Sequence, residues 1–167
     1  MNIYLAGPIS GMTEEEAYGW RYRIRDFLAG KHKVFIPAKV DLVTGTGDGD
    51  HSYLWEKDQE AGKKAALVDY MRVEWADVLF VNFTGARKVS IGTIMEIGWA
   101  KVMGKIIIVV MERGNVHDHS FVHWAAHSIV PNFVAALNLL TEWCAMLAEL
   151  DSELLEEPVQ PVEAPTD

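Results

Sequence analysis

Cysteine is nearly absent. Cys144 stands alone among 167 residues, which excludes a disulfide framework and a cysteine-based zinc site and suits a reducing cytosol. Long apolar runs are missing as well: the longest, Ile106–Met111, falls far short of the roughly 20 residues that a membrane helix needs. Met1-Asn-Ile-Tyr-Leu-Ala6 lacks the basic start of a secretory leader and runs straight into Gly7-Pro8, so a cytoplasmic location is expected. A basic stripe is missing too. The formal net charge is −9, but six of the acids fall in Asp151–Asp167, which has no base, so the body keeps only −3. An acidic body without clustered Lys and Arg argues against a nucleic-acid polymer as partner. Small phosphorylated ligands stay open, since backbone N–H groups bind them without net positive charge.

What is present is an ordinary globular composition, half apolar and a quarter charged, in a chain long enough for one domain with a real core. Residues 1–150 are expected to form that domain. The segment 151–167 is acidic, contains three prolines and has little hydrophobicity after Leu155, so it is expected to be a disordered tail.

Strands and helices alternate along the body. Asn2–Ala6 reads as a strand broken by Gly7-Pro8, and Thr13-Glu-Glu-Glu16 has capping-box spacing and opens a helix to about Leu28. Ala17, Trp20, Ile24 and Phe27 or Leu28 share one face of that helix. Gly30 ends it and Val34–Ile36 follows as a strand closed by Pro37. Thr44–His51 is a loop by composition, and a helix runs from about Trp55 or Asp58 to Trp75. Strands are expected at 77–83, 105–111 and, weakly, 128–130, with helices after Ser90, near Ser120–His127 and from Pro131 to about Leu150. Phe133, Leu137, Leu140, Cys144 and Leu147 are in register on the last helix. Strands apolar on both faces indicate a parallel sheet covered on each side. Five of them suggest a flavodoxin-like (Rossmann-like) α/β fold of strand order 2-1-3-4-5, helices on both faces. In that order the loops after Ala6 and after Phe83 meet at one crevice, where ligands bind.

Glu96 is the most informative residue in that frame. It lies in Ser90-Ile-Gly-Thr-Ile-Met-Glu96, a short loop past the apolar strand Val78–Phe83, and is expected in the first turn of a helix at the crevice. A carboxylate there can act as a nucleophile, held ionised by the helix dipole. It can equally cap its own helix, because Thr93-Ile-Met-Glu96 is itself a capping box. Tyr4 precedes the first turn, and Gly7-Pro8-Ile9-Ser10-Gly11 is a turn whose glycines let backbone approach a ligand. Asp69 supplies a second carboxylate. Asn82, at the carboxyl end of the third strand, and Ser90 with Gly92 are further candidates for holding a phosphate or sugar. Each has a plain reading beside the functional one: Asp69 a solvated helix acid, Tyr4 a core tyrosine, Ser90 a cap, Gly7-Pro8 a strand end.

Tyr4-Leu-Ala-Gly-Pro8, the spacing from Asp69 to Ala76-Asp77-Val78, and Gly92-Thr-Ile-Met-Glu96-Ile-Gly-Trp-Ala100 followed by Gly104-Lys105 resemble the nucleoside 2-deoxyribosyltransferase superfamily. The resemblance runs from residue 2 to about 111 and more weakly to 140. It implies that Glu96 attacks the anomeric carbon of a nucleoside to form a glycosyl-enzyme, with Asp69 contacting or protonating the leaving base and Tyr4 orienting Glu96. Transferases of the superfamily pass the sugar to a second base and hydrolytic relatives pass it to water. The logic is that of retaining glycosidases. No cofactor or metal is implied, and a homodimer or higher homo-oligomer is.

One departure separates the branches. Deoxyribosyltransferases usually carry Asp six residues before the glutamate, and Ser90 stands there. Serine resembles the nucleoside 5′-monophosphate N-glycosidase branch, in which it binds the 5′-phosphate that an aspartate would repel. Ser120 matches a second phosphate-binding serine, contributed in that branch by a neighbouring subunit. Against this, the branch has arginine where Ser10 stands, and Arg87 or Lys88 would have to replace it. The expectation is an N-glycosidase acting on a (deoxy)nucleoside or its 5′-monophosphate. A base-to-base transferase and a non-catalytic nucleotide-binding module are the alternatives.

Other patterns carry less. His117, His119, His123 and His127 have no acid at helical spacing, so no metal site is expected. Asp48-Gly-Asp50 departs from a calcium loop at its sixth position, Tyr53. It reads as part of a substrate-covering loop. Gly45-x-Gly47-x-Gly49 follows no strand into a helix and is no dinucleotide fingerprint.

Overall fold

A computed structural model describes residues 1–37 and 59–156. The elements are β1 (Asn2–Ala6), α1 (Trp20–Leu28), β2 (Lys33–Phe35), α2 (Gln59–Trp75), β3 (Val78–Asn82), α3 (Ile91–Val102), β4 (Ile106–Val110), α4 (Ser120–Ala125), β5 (Ser128–Val130) and α5 (Phe133–Glu156). All strands pair in parallel, in the order β2-β1-β3-β4-β5. This is the expected doubly wound sheet with its switch between β1 and β3.

Strand alternation explains the layers, because successive side chains leave opposite faces. Tyr4, Ala6, Leu79, Val81, Ile107 and Val109 build one core with Val73 of α2, Ala76 just after it, Ile97 and Ala100 of α3, and Val122 and Ala125 of α4. Ile3, Leu5, Val78, Phe80, Ile108 and Val110 build the other with Trp20, Ile24 and Leu28 of α1 and Ala136, Leu140 and Cys144 of α5. Strand β3 is buried along its whole length. Truncating Leu79 or Phe80 to alanine would cost about 2–5 kcal/mol on that ground.

The capping box before α1 forms as expected: Thr13 N–H donates to Glu16 and Glu16 N–H to the Thr13 hydroxyl. A wide π-helical turn, Glu15–Gly19, follows it and leads into α1. Leu28, not Phe27, completes the apolar face; Phe27 is exposed. Helix α5 runs on to Glu156, into the segment expected as tail, since Glu153-Leu-Leu-Glu156 are good helix formers with no Pro before position 158. The loop at Thr44–His51, with its acidic and glycine patterns, the residues from Trp55 to Asp58 and the tail from 157 onward lie outside the described residues. Among the described residues no helix is long and apolar enough to cross a membrane.

Candidate active site

The β1 and β3 loops do meet. Ala6 pairs with Val81, and Gly7 follows with φ of +156°. A Cβ on Gly7 would stand 2.6 Å from the Asn82 carbonyl oxygen, so only glycine lets these two strand ends close on each other. Arg21 holds the turn from behind. It is fully buried, and its Nε donates to the Leu5 carbonyl at 3.1 Å and one Nη to that of Gly7 at 2.8 Å. The other Nη donates to Ala17. The guanidinium lies 4.5 Å from the Trp20 ring centre, a cation–π contact that suits a desolvated charge. Burial lowers its pKa to about 10, so it stays charged at neutral pH. In the sequence Arg21 is marked only by its place at helical spacing between Ala17 and Ile24, in the apolar stripe that runs into α1.

Three side chains converge at the mouth of this crevice. Tyr4 donates its hydroxyl hydrogen to Glu96 Oε1 at 2.6 Å, the length of a charge-assisted bond. The same hydroxyl stands 3.2 Å from Asp69 Oδ1. Arg72 donates to that Oδ1 from 3.3 Å and covers the Phe35 ring at 4.0 Å. Glu96 is 7% exposed. Burial, with the Asp69 charge adding to it, raises its pKa to about 7 against the lowering effect of the Tyr4 hydrogen bond and of Arg21 and Arg72. Burial also raises the Asp69 carboxyl, with Arg72 and Tyr4 opposing. Burial and the two carboxylates push the Tyr4 phenol up, out of reach of ordinary pH.

A phenol has one hydrogen to give. The shorter contact is to Glu96, and Asp69 keeps the Arg72 ion pair.

Glu96 differs from expectation in two respects. Helix α3 starts at Ile91 with Ser90 as N-cap, and no acid lies in its first turn. Glu96 is thus in the second turn, and the Thr93–Glu96 capping box does not form; the carboxylate turns to Tyr4 instead. Nor does the helix terminus hold Glu96 at a low pKa. Its influence fades within the first turn, and desolvation outweighs it.

Ser90 closes the far side. Its hydroxyl lies 2.9 Å from Thr93 Oγ1 and its backbone N–H donates to His117 Nε2 at 2.8 Å, so that N–H is turned away from any ligand. Gly92 is exposed, with open space where a Cβ would be. Pro8 is buried, Ile9 and Gly11 are partly so, and Ser10 is exposed. Asn82 is largely buried and its Oδ1 accepts from Thr84 N–H. Arg87, expected as a phosphate clamp, donates instead to the Gly11 carbonyl at 3.1 Å and to Glu16 at 2.8 Å. It pins the first loop to the second, and its charge is met by Glu16. Ser120 makes no hydrogen bond to the Glu96 cluster among the described contacts. It lines a groove of about 580 Å³ with Ile94, Ile97 and Gly98 of α3, and with Phe121 and Trp124.

The four histidines do separate jobs. His117 accepts from Ser90, His119 caps α4 through Phe121 N–H, His123 pairs with Asp118, and His127 Nδ1 accepts from Ile107 N–H. Among the described residues no group of three His, Cys, Asp or Glu side chains is arranged to hold a metal ion.

The family model described as nucleoside 2-deoxyribosyltransferase matches residues 3–154, and the chain belongs to that family of enzymes. No curated protein sequence matches it. Among solved structures it is similar to the 2-deoxyribosyltransferase of the psychrotolerant bacterium Bacillus psychrosaccharolyticus, at 21% identity and a TM-score of 0.50, over 79% of this chain and 87% of that one. It is also similar to the CMP N-glycosidase BcmB of Clostridium botulinum, at 19% identity and a TM-score of 0.47, over 89% and 99% of the two chains. A conserved protein from Enterococcus faecalis V583 follows at 18% identity and a TM-score of 0.47, over 83% and 86%. The first of these shares the fold.

Proposed function

We propose that this enzyme cleaves the N-glycosidic bond of a (deoxy)nucleoside or its 5′-monophosphate, with water as the final acceptor. The observation that carries the reading is the Glu96–Tyr4–Asp69 cluster, two carboxyl groups of raised pKa bridged by one phenol. Anionic Glu96 attacks the anomeric carbon, the bond to the base breaks, and its electron pair leaves on the base nitrogen. Asp69 gives that nitrogen its proton, so the base departs neutral. Water then attacks the same carbon, returns a proton to Asp69 and frees Glu96. Tyr4 holds Glu96 by its hydrogen bond throughout.

The Gly7–Gly11 turn, Asn82, Ser90 and Gly92 form the sugar or phosphate cradle in this proposal. Ser90 in place of the family's usual aspartate supports a phosphorylated substrate and hydrolysis. The occupied Arg87 removes one cation from that argument, so unphosphorylated nucleosides belong in the same test. In this proposal Ser120 serves the site of a neighbouring subunit, so a homo-oligomer is part of it. Exposed Phe121 and Trp124 beside Ser120 support it, and sedimentation would measure it.

A second reading, sugar transfer to another base, is favoured by the match to the deoxyribosyltransferase family itself. Chromatography of reactions over the common nucleosides and their monophosphates, with and without a second free base, separates the two. Free base and sugar formed without an added base support hydrolysis. New nucleoside formed only with it supports transfer. No turnover of any of them overturns both.

A further inference from the structure

We propose that His117 is a positioning residue for the crevice: as a neutral imidazole it fixes Ser90, and through Ser90 the start of the helix that carries Glu96. The inference rests on the glycosidic reading of the site, and it gives His117 a role apart from the histidine pattern in which the sequence places it.

The tautomer follows from a chain of hydrogen bonds. Asn115 Nδ2 donates to the Phe83 carbonyl at 2.8 Å and to Glu112 Oε1 at 2.9 Å, two acceptors that orient the amide. Its Oδ1 therefore faces His117, where it accepts from the backbone N–H at 2.9 Å and meets Nδ1 at 2.9 Å. Nδ1 must carry the ring hydrogen. Nε2 is then a bare acceptor, and it takes the Ser90 N–H at 2.8 Å. The ring is 2% exposed and stacks face-on against Phe83, centroids 3.8 Å apart and planes within 11°. Glu112 also accepts from Gly85 N–H, so one network ties the end of β3, the loop after it and the loop after β4. Burial lowers the His117 pKa against the pull of Glu112, in keeping with the neutral form.

Ser90 is the hinge of this arrangement because it is both crevice residue and N-cap of α3. Its hydroxyl meets only Thr93 rather than capping a backbone N–H, so no side-chain cap fixes the helix start. The His117 acceptor does so from outside. Without it, a half-buried N–H is left unsatisfied, and the loop and the first turn of α3 are free to shift relative to Tyr4 and Asp69.

The test uses the full chain and two variants. His117→Gln keeps an acceptor within reach of Ser90; His117→Leu keeps only bulk. In the wild type, nitrogen-15 spectra of labelled histidine should show one ring with Nδ1 protonated and Nε2 bare at pH 7, lost in His117→Gln. The Ser90 amide signal should move strongly in His117→Leu and little in His117→Gln. With a cleaved substrate in hand, kcat should fall tenfold or more in His117→Leu and stay within about threefold in His117→Gln, at matched folding by melting curve. A His117 ring protonated at Nε2, an unmoved Ser90 amide in His117→Leu, or equal kcat losses in both variants would overturn the proposal. The spectra need no substrate, so they decide the positioning claim even if no nucleoside is cleaved and the glycosidic reading fails.

Discussion

Tyr4 Oη lies 2.6 Å from Glu96 Oε1, joining strand β1 to helix α3 across 92 residues of chain. The bond does two things at once. It partly compensates a carboxylate that burial penalises, and it aims that carboxylate at the space between the β1 and β3 loops.

The first consequence is a conflict between activity and stability at Glu96. Its pKa is raised above the usual carboxylate value, to about 7. A raised carboxyl pKa means the folded state prefers the proton. The stabilisation is complete below the unfolded value near 4.5 and is lost as pH rises through about 7. The difference is on the order of 3 kcal/mol by the shift. Glu96→Gln should therefore remove turnover by a thousandfold or more yet melt a few degrees above the wild type at pH 8. A lower melting temperature at that pH would refute the desolvation argument.

Tyr4→Phe removes the hydrogen bond that holds the Glu96 pKa down. The acid limb of the pH–rate profile should move to higher pH. At pH 6 the rate should drop by about tenfold to a hundredfold, and less at pH 9. An unmoved acid limb would mean that Glu96 ionisation does not govern the rate.

For Asp69 the test is leaving-group dependence. Asp69→Asn cannot donate a proton to the departing base, so kcat for ordinary nucleosides should fall about 100-fold or more. A 7-methylated purine nucleoside is cationic before cleavage and its base leaves neutral without a proton, so it should lose less than about fivefold. Equal losses on both substrates would remove Asp69 from the acid role.

Ser90→Asp asks whether a phosphate sits beside residue 90. Like charges repel, so KM for a 5′-monophosphate should rise at least about tenfold while KM for the bare nucleoside stays within about threefold. Parallel changes in the two constants would place the phosphate elsewhere.

Gly7→Ala tests the loop closure. Its Cβ would approach the Asn82 backbone oxygen to 2.6 Å, a contact that neither strand can relieve by a side-chain rotation. Denaturant unfolding should show a loss of about 1–3 kcal/mol, where a neutral result would show that the β1 and β3 ends separate easily.

Much of this was legible in sequence because it is local. Continuous apolar runs marked β1, β3 and β4, the Thr13–Glu16 box marked the start of the first helical turn, and the motif around Glu96 pointed to the crevice. Helix ends were harder. The spacing Thr93–Glu96 has the form of a capping box, and only the position of Ser90 shows that the helix begins earlier. Arg21 reads as a misplaced charge in an apolar stripe until three carbonyls are seen around it. Arg87 reads as a free cation until Glu16 and Gly11 meet it.

By itself the sequence pointed to the sheet order and the family and marked Tyr4, Asp69 and Glu96 as candidates, because apolar runs, motif and turn chemistry are properties of neighbours along the chain. The tertiary structure alone decided the surroundings in which each proton is held. Protonation depends on burial and on partners brought from distant segments: Tyr4 between two carboxyls, Arg21 behind the Gly7 turn, and His117 against the Ser90 N–H. Those distances exist only once five strands have lined up and their loops have closed on one crevice.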